Sequence, residues 1–253
     1  MTPSAADWDA AQARLQGLRS RRPSVAEWIA LEATLGLDEY LARARQPPFG
    51  RWIESLSAEP ALHEIDRVLR AAFRQECARL AAWYGEPWNR TLAQLAAIVD
   101  LPLLAGLSHG AVMPASAADD PVWRELIATP ADERFRIATG LQLPPADSRP
   151  DSELLESWVR AWLAALPAAA PEIHAGFAEL ARAVADFRRR SAAAAATAPA
   201  MRMHERLALL FRRHAGTPVA MACEIAAAAL DLQRLRAGLV RRLLTQRAAS
   251  VAA

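Results

Sequence analysis

Five histidines, two cysteines and scattered carboxylates are the residues of this chain whose types could do chemistry. A metal site needs several such side chains to converge on one ion. No two of His63, His109, His174, His204 and His214 lie three or four positions apart, so no helix face presents a ligand pair and no metal is expected. His204 and His214 flank arginine-rich turns and are expected to be solvated. Ser108-His109-Gly110 reads as a turn, because a working Ser–His pair is made by spatial geometry rather than by adjacency. Cys77 and Cys223 stand far apart in apolar helical runs and read as small buried hydrophobes. Neither carries a nucleophile signature, and there is no G-x-S-x-G. Ten glycines supply no P-loop and no G-x-G-x-x-G after a strand. Acidic pairs such as Asp132 with Glu133 and Glu153 with Glu156 fall at helix starts, where they favour the N-terminal dipole. No catalytic or cofactor-binding residue is assigned and no cofactor is expected. An enzyme assembled from distant segments would reveal itself as a pocket of convergent polar groups.

The remaining chemistry is that of arginine. All 30 basic residues are Arg, which reads as a compositional bias alongside abundant Ala rather than a need for guanidinium. The net charge of +2 is uneven: 21 Arg against 25 acids up to residue 200, then 9 Arg against 3 acids. A basic C-terminal part on a mildly acidic body suits an acidic partner, a membrane surface or nucleic acid. The clusters Arg188-Arg189-Arg190, Arg212-Arg213 and Arg241-Arg242 read either as solvated faces at helix C-termini or as docking points for an acidic surface.

These residues must be carried by helices. Strand signals are nearly absent, and Ala, Leu, Arg and Glu dominate. Pro and Gly divide the chain into expected helices over Ala5–Arg21, Val25–Gly36, Asp38–Arg45, Gly50–Ser57, Pro60–Tyr84, Trp88–Val99 and Leu101–Leu107. Others follow over Pro121–Ala128, Ala131–Thr139, Ser152–Leu166, Pro171–Ala196, Met201–His214 and Pro218–Arg247. Ser24 with Glu27 forms a capping box, and Asp119 or Asp120 caps the helix begun by Pro121. Gly216 suits a left-handed helix end, and Thr217 can cap the last helix with Pro218 in its first position. Apolar stripes run along Leu62, Ile65, Leu69, Phe73, Leu80 and Tyr84, along Ile173, Phe177, Leu180, Val184 and Phe187, and along Met221, Ile225, Ala228, Leu232, Leu235 and Leu239. They bury against the chain's own bundle or against a partner helix. The eight Trp, all at or before Trp162, read as core or junction packing.

Gly110–Asp120 and Leu143–Pro150 read as loops. The run Ala192–Ala196 before Pro199 marks a change of composition. The expected organisation is a helical body over residues 1–196, with residues 201–253 forming a C-terminal helical pair packed on or beside it. The opening MTPSAADWDAAQARLQ carries acids and no apolar stretch, so no signal peptide is expected. No uncharged apolar run reaches ~18 residues, so no membrane-spanning helix is expected. A cytoplasmic protein, peripheral to the inner face of a membrane if attached to one, fits the cysteine usage.

Three segments together resemble the C/d subunit family of archaeal-type and vacuolar-type rotary ATPases. Ala13–Leu56 runs through Asp38, Tyr40, Leu41 and the turn Pro48-Phe49-Gly50. Trp83–Leu107 contains Asp100-Leu101. Leu210–Leu244 has a small helix, a break and a long final helix carrying Glu224, Leu235 and Arg236. The match covers about half the chain, which is short for that family, and three related helical subdomains cannot be traced. The resemblance implies a cytoplasmic, all-α subunit without catalysis of its own, linking rotor or shaft subunits of a membrane complex involved in ion transport. Fold resemblance alone does not deliver function.

The reading is an all-α multi-helix assembly with a long C-terminal helix. It is a non-catalytic interaction or assembly subunit with protein partners. Arg236, Arg241 and Arg242 are expected to face the partner, and Arg21 and Arg22 are further candidates. The alternative is a stand-alone helical adaptor or regulator, associated with nucleic acid through its basic C-terminal unit. Nucleic acid is the less favoured partner, because one uninterrupted helix from Pro218 is not a helix-turn-helix.

Overall fold

A chain rich in Ala, Leu, Arg and Glu folds as helices joined at its prolines and glycines. The structure, a computed structural model, describes residues 5–108, 115–139, 151–193 and 198–252. Among these there are no strands. The twelve α-helices are α1 (Ala5–Arg19), α2 (Val25–Glu32), α3 (Leu37–Ala44), α4 (Leu62–Ala81), α5 (Trp88–Ala93) and α6 (Leu101–Ser108), then α7 (Pro121–Ala128), α8 (Ala131–Thr139), α9 (Asp151–Ala164), α10 (Pro171–Ala193), α11 (Ala198–Arg213) and α12 (Pro218–Ala252). His109, Gly110, the expected loop Leu143–Pro150 and the alanines Ala194–Ala196 lie outside the described residues.

Local signals set most of the boundaries. Ser24 and Glu27 make both bonds of the capping box at α2. Asp120, not Asp119, caps α7 by accepting from the Val122 N–H, with Pro121 in the first turn. Gly216 takes φ +76° between α11 and α12, a conformation other residues resist. Thr217 behaves otherwise than expected: its hydroxyl donates back to the His214 carbonyl at 2.7 Å instead of capping α12. The expected helix Gly50–Ser57 closes after a 3-10 turn, Gly50–Trp52. There Arg45 draws the chain back by donating to the Leu56 and Ser57 carbonyls at 3.0 and 3.1 Å. The expected helix Trp88–Val99 divides into α5 and a 3-10 stretch, Gln94–Val99.

α12 organises the fold. Its 35 residues span about 50 Å at 1.5 Å per residue, and α1, α3, α4, α5, α10 and α11 all pack on it. From Pro218 to Leu232 it is enclosed on nearly every side, and Ala226 and Ala229 alone are less than fully buried. The stripe expected along Met221, Ile225, Ala228, Leu232, Leu235 and Leu239 is therefore only one of several buried faces in the first half of α12. Alanine at 220, 222 and 226–229 explains how so many helices approach one axis, since a short side chain brings backbones close. One hydrophobic core runs from Ala11 to Leu243 and takes in residues of both α11 and α12.

The tryptophans pack as junctions. Trp88 stacks on Phe177 at 5.6 Å, and Trp162 meets the same ring edge-on at 5.3 Å while donating its indole N–H to the Thr91 carbonyl. This joins α5, α9 and α10. Cys77 and Cys223 are buried free thiols. Among the described residues no single helix is long and apolar enough to cross a membrane. Trp88–Val99 and Leu101–Leu107 reach that length only as a pair bent by 61°, and Trp88, Leu92, Leu101 and Leu104 from it lie in the core.

Close packing on α12 reverses an ordinary propensity rule. Gly238 faces the Tyr40 ring, and an added Cβ would stand 2.7 Å from Tyr40 Cζ. Gly17, in α1, has open space around it. Helix propensity favours alanine over glycine by ~1 kcal/mol, whereas overpacking a core costs ~1–3 kcal/mol. Gly17→Ala should therefore raise the urea midpoint and Gly238→Ala should lower it. A Gly238→Ala protein as stable as the parent would mean that α3 and α12 are not in this contact.

Candidate partner-binding surface

The interior uses many of the arginines. Glu224 and Asp231 lie two turns apart on one side of α12, 1% and 3% exposed. Arg22, in the turn after α1, reaches both: Nη1 donates to Glu224 at 3.2 Å and Nη2 to Asp231. Arg19 stands 3.9 Å from the other Glu224 oxygen and lies over the Phe211 ring. His204 of α11 meets Asp231 at 3.4 Å. Burial pushes the Glu224 carboxyl above its ordinary range, against the pull of Arg22 and Arg19. Burial likewise lowers the His204 imidazole and the Arg19 guanidinium. The cluster pins α1 and α11 to the central helix. His204 and His214 are not solvated as expected: 31% and 15% of their side chains are exposed, because both turn inward from α11 and its end.

A second clamp holds α4 against the chain before α6 and α7. Arg74 donates from Nε and Nη2 to Asp100 at 3.0 and 2.8 Å, and from Nη1 and Nη2 to Asp120 at 3.2 and 2.9 Å. The Trp123 indole adds a bond to Asp100 at 3.0 Å. Burial works against the charged guanidinium, but the two carboxylates outweigh it and raise its pKa. Two neighbouring buried aspartates suggest acid–base work, yet each is held by the same guanidinium and Asp120 also caps α7. The arrangement is a structural tie.

The five expected partner-facing residues part company here. Arg242 is 3% exposed and points inward. It donates to the carbonyls of Thr34, Glu32 and Gly238, each at 2.9 Å, and sits 3.9 Å over the Tyr40 ring. It caps the end of α2, where free carbonyls and the dipole favour a cation, so it is a packing residue and not a partner contact. Burial pushes the Tyr40 phenol up to about 12 and lowers the Arg242 guanidinium. Arg22 is the internal bridge just described. Arg236 grips Asp66 of α4 through two bonds, at 2.6 and 3.2 Å, with about half its side chain exposed. Arg241 and Arg21 are exposed and take part in no ion pair among the described residues. Of the five, these two alone stand fully open to a partner.

Two surfaces that single residues did not signal emerge instead. The first is α2. Trp28 and Leu31 face the core, yet Val25 and Ile29 on its outer side are 65% and 60% exposed, and Leu35 just beyond is 90% exposed. The second is an open cleft of about 440 Å³ between α10 and α11, lined by Arg182, Arg190, Arg202 and Arg206 with Phe187 and Met203 between them. Arg190 belongs to the arginine triplet visible in the sequence. Arg182 and Arg202 carried no signal, because only the hairpin of α10 and α11 brings them beside it. Among the described residues no group of three His, Cys, Asp or Glu could hold a metal ion.

The fold and these contacts define an all-α protein built around its last helix. Comparison with protein-family models, with curated proteins and with solved structures found no match to this chain.

Two outcomes follow from the buried cluster. Arg22→Leu leaves Glu224 and Asp231 without their bridge, and unpairing a buried charge costs about 3–5 kcal/mol. Arg22→Leu combined with Glu224→Gln and Asp231→Asn should recover most of that loss in urea denaturation. A triple variant no better than the single one would deny the bridge its role. The raised Glu224 carboxyl also has a pH signature. A folded pKa above the unfolded value gives stability that is full below the unfolded value, 4.5, and lost as pH rises through the folded one. Relative to Glu224→Gln, the parent should lose stability as pH rises above the unfolded carboxyl value of 4.5. A difference that stays flat or moves the other way contradicts the burial-driven shift.

Proposed function

We propose that this chain is a non-catalytic helical interaction subunit that joins protein partners, in the role implied by its resemblance to the C/d subunits of rotary ATPases. The observation that carries the reading is α2. A helix apolar on both faces belongs between two layers, and α2 has only one layer behind it. Val25, Ile29 and Leu35 form an apolar surface within eleven residues of sequence, where isolated exposed apolar residues would need no explanation. Arg21 stands exposed in the turn leading into it. The patch is held rigidly, since Arg242 caps the end of α2 and Arg234 grips Glu32 while lying 4.5 Å over Trp28. A preorganised apolar face is what a docking protein needs, because little ordering entropy remains to be lost on association.

The alternative role in nucleic-acid binding has less to draw on. Of the arginines of the basic C-terminal unit, Arg206, Arg213, Arg234, Arg236 and Arg242 are engaged with carboxylates or carbonyls of the chain itself. Few remain to replace counterions along a phosphate backbone.

The test is recovery of the tagged protein at native abundance from gently solubilised membranes, with its companions identified by mass spectrometry. Rotor or shaft subunits are expected to accompany it. Ile29→Glu with Val25→Glu should reduce their recovery at least tenfold with helicity and melting temperature unchanged, since both side chains already face water. A parent protein recovered alone overturns the proposal. Companions retained by the double variant remove α2 from it.

A further inference from the structure

The cleft between α10 and α11 has its own charge pattern. The two helices run antiparallel, with Arg206 and Arg213 of α11 both paired to Glu179 of α10. From there the cleft opens along α10 to Arg190, eleven residues or about 16 Å further on. Arg182, Asp186 and Arg190 follow one another at four-residue steps, so they line one ridge of the helix. Arg202 faces them from α11. Asp186 is already engaged by Arg189, and Glu179 by Arg206 and Arg213. Arg182, Arg190 and Arg202 are exposed and take part in no ion pair among the described residues. Between these cations lie the buried Met203 and the half-buried Phe187, the last member of the apolar stripe that begins at Ile173.

Resting on the reading of the chain as an interaction subunit, we propose that this cleft docks an acidic amphipathic helix of a partner protein. Its apolar stripe would lie on Phe187, Ala183 and Met203, and its carboxylates would meet Arg182, Arg190 and Arg202. Charge complementarity and spacing both point to a helix. Arg182 and Arg190 are eight residues apart, about 12 Å along the axis, which matches carboxylates two turns apart on a facing helix. A single phosphate is poorly matched, because the cations are strung along the groove with Asp186 between Arg182 and Arg190. Guanidiniums favour carboxylates through paired N–H donors, and those at the cleft rim are available for such bonds.

The experiment uses the whole chain and a fluorescein-labelled amphipathic peptide of roughly 18 residues, with a leucine stripe flanked by glutamates. A twin peptide carries lysine in place of every glutamate. Fluorescence anisotropy should show binding of the glutamate peptide alone. Arg182→Glu with Arg202→Glu should weaken it at least tenfold, and Arg43→Glu, exposed on α3, should leave it unchanged. Circular dichroism and melting temperature confirm that each variant is folded. Equal binding of the lysine twin, or no loss in the double variant, overturns the proposal. So does inorganic pyrophosphate that binds the parent, displaces the peptide and is lost with Arg182 and Arg202, which would make the cleft an anion site. Because the peptide assay needs no native partner, its failure alongside recovered membrane companions rejects the cleft alone. Peptide binding by a protein that recovers no companion rejects only the assignment to a membrane complex.

Discussion

Two carboxylates inside the central helix set the terms for the rest of this structure. Glu224 and Asp231 are the only charged residues between Pro218 and Leu232, a stretch enclosed by neighbouring helices. A carboxylate in such surroundings is tolerable only when paired and hydrogen-bonded. Arg22 meets both, Arg19 approaches one and His204 the other, so the partners come from either end of the chain. A packing of α1 and α11 that left α12 elsewhere would strand these charges. The pairing adds little to stability compared with an apolar substitute, but it penalises wrong arrangements heavily, and that difference gives it its organising role.

The same logic explains the arginines. A composition with Arg and no Lys reads as a bias, yet many of these side chains do what an ammonium cannot. Arg74 spans two carboxylates, Arg234 and Arg236 each present two nitrogens to one carboxylate, and Arg242 divides its donors among three backbone carbonyls. Arg19, Arg51, Arg79, Arg234 and Arg242 lie over aromatic rings. A planar, weakly hydrated guanidinium stacks and forks at once, whereas an ammonium is a strongly hydrated point charge. Whatever brought arginine to these positions, the fold uses its shape.

Committing charge to the interior decides what the exterior can offer. Arg242 and Arg22 are removed from the surface and Arg236 is half removed, leaving Arg21 and Arg241 from the residues first expected to meet a partner. The open cations of Arg182, Arg190 and Arg202 stand on the α10–α11 hairpin instead, and the apolar surface lies on α2. These two surfaces differ in kind. One is apolar and rigidly backed, suited to permanent contact. The other is rimmed by charge and suited to salt-dependent docking.

Much of the helical framework was legible before any coordinates. The capping box at Ser24, the cap at Asp120, the left-handed Gly216 and the starts of α2, α7, α8, α10 and α12 follow from local chemistry, because a cap or a proline acts within one turn of its own position. The apolar stripe of α4 was legible for a similar reason: helical period turns spacing into a face. The burial of α12 on all sides was not, since a stripe says which face is apolar and not how many helices will cover the others. Nor could the fate of a single arginine be read. Arg241 and Arg242 are neighbours of identical type, one exposed and one buried, separated only by the turn of the helix toward Thr34 and Tyr40. The sequence by itself determined helices, the starts of many of them and an all-α class. Only the tertiary structure decided which charges neutralise one another and which remain for a partner, because that depends on contacts between residues some 200 positions apart, such as Arg22 with Asp231.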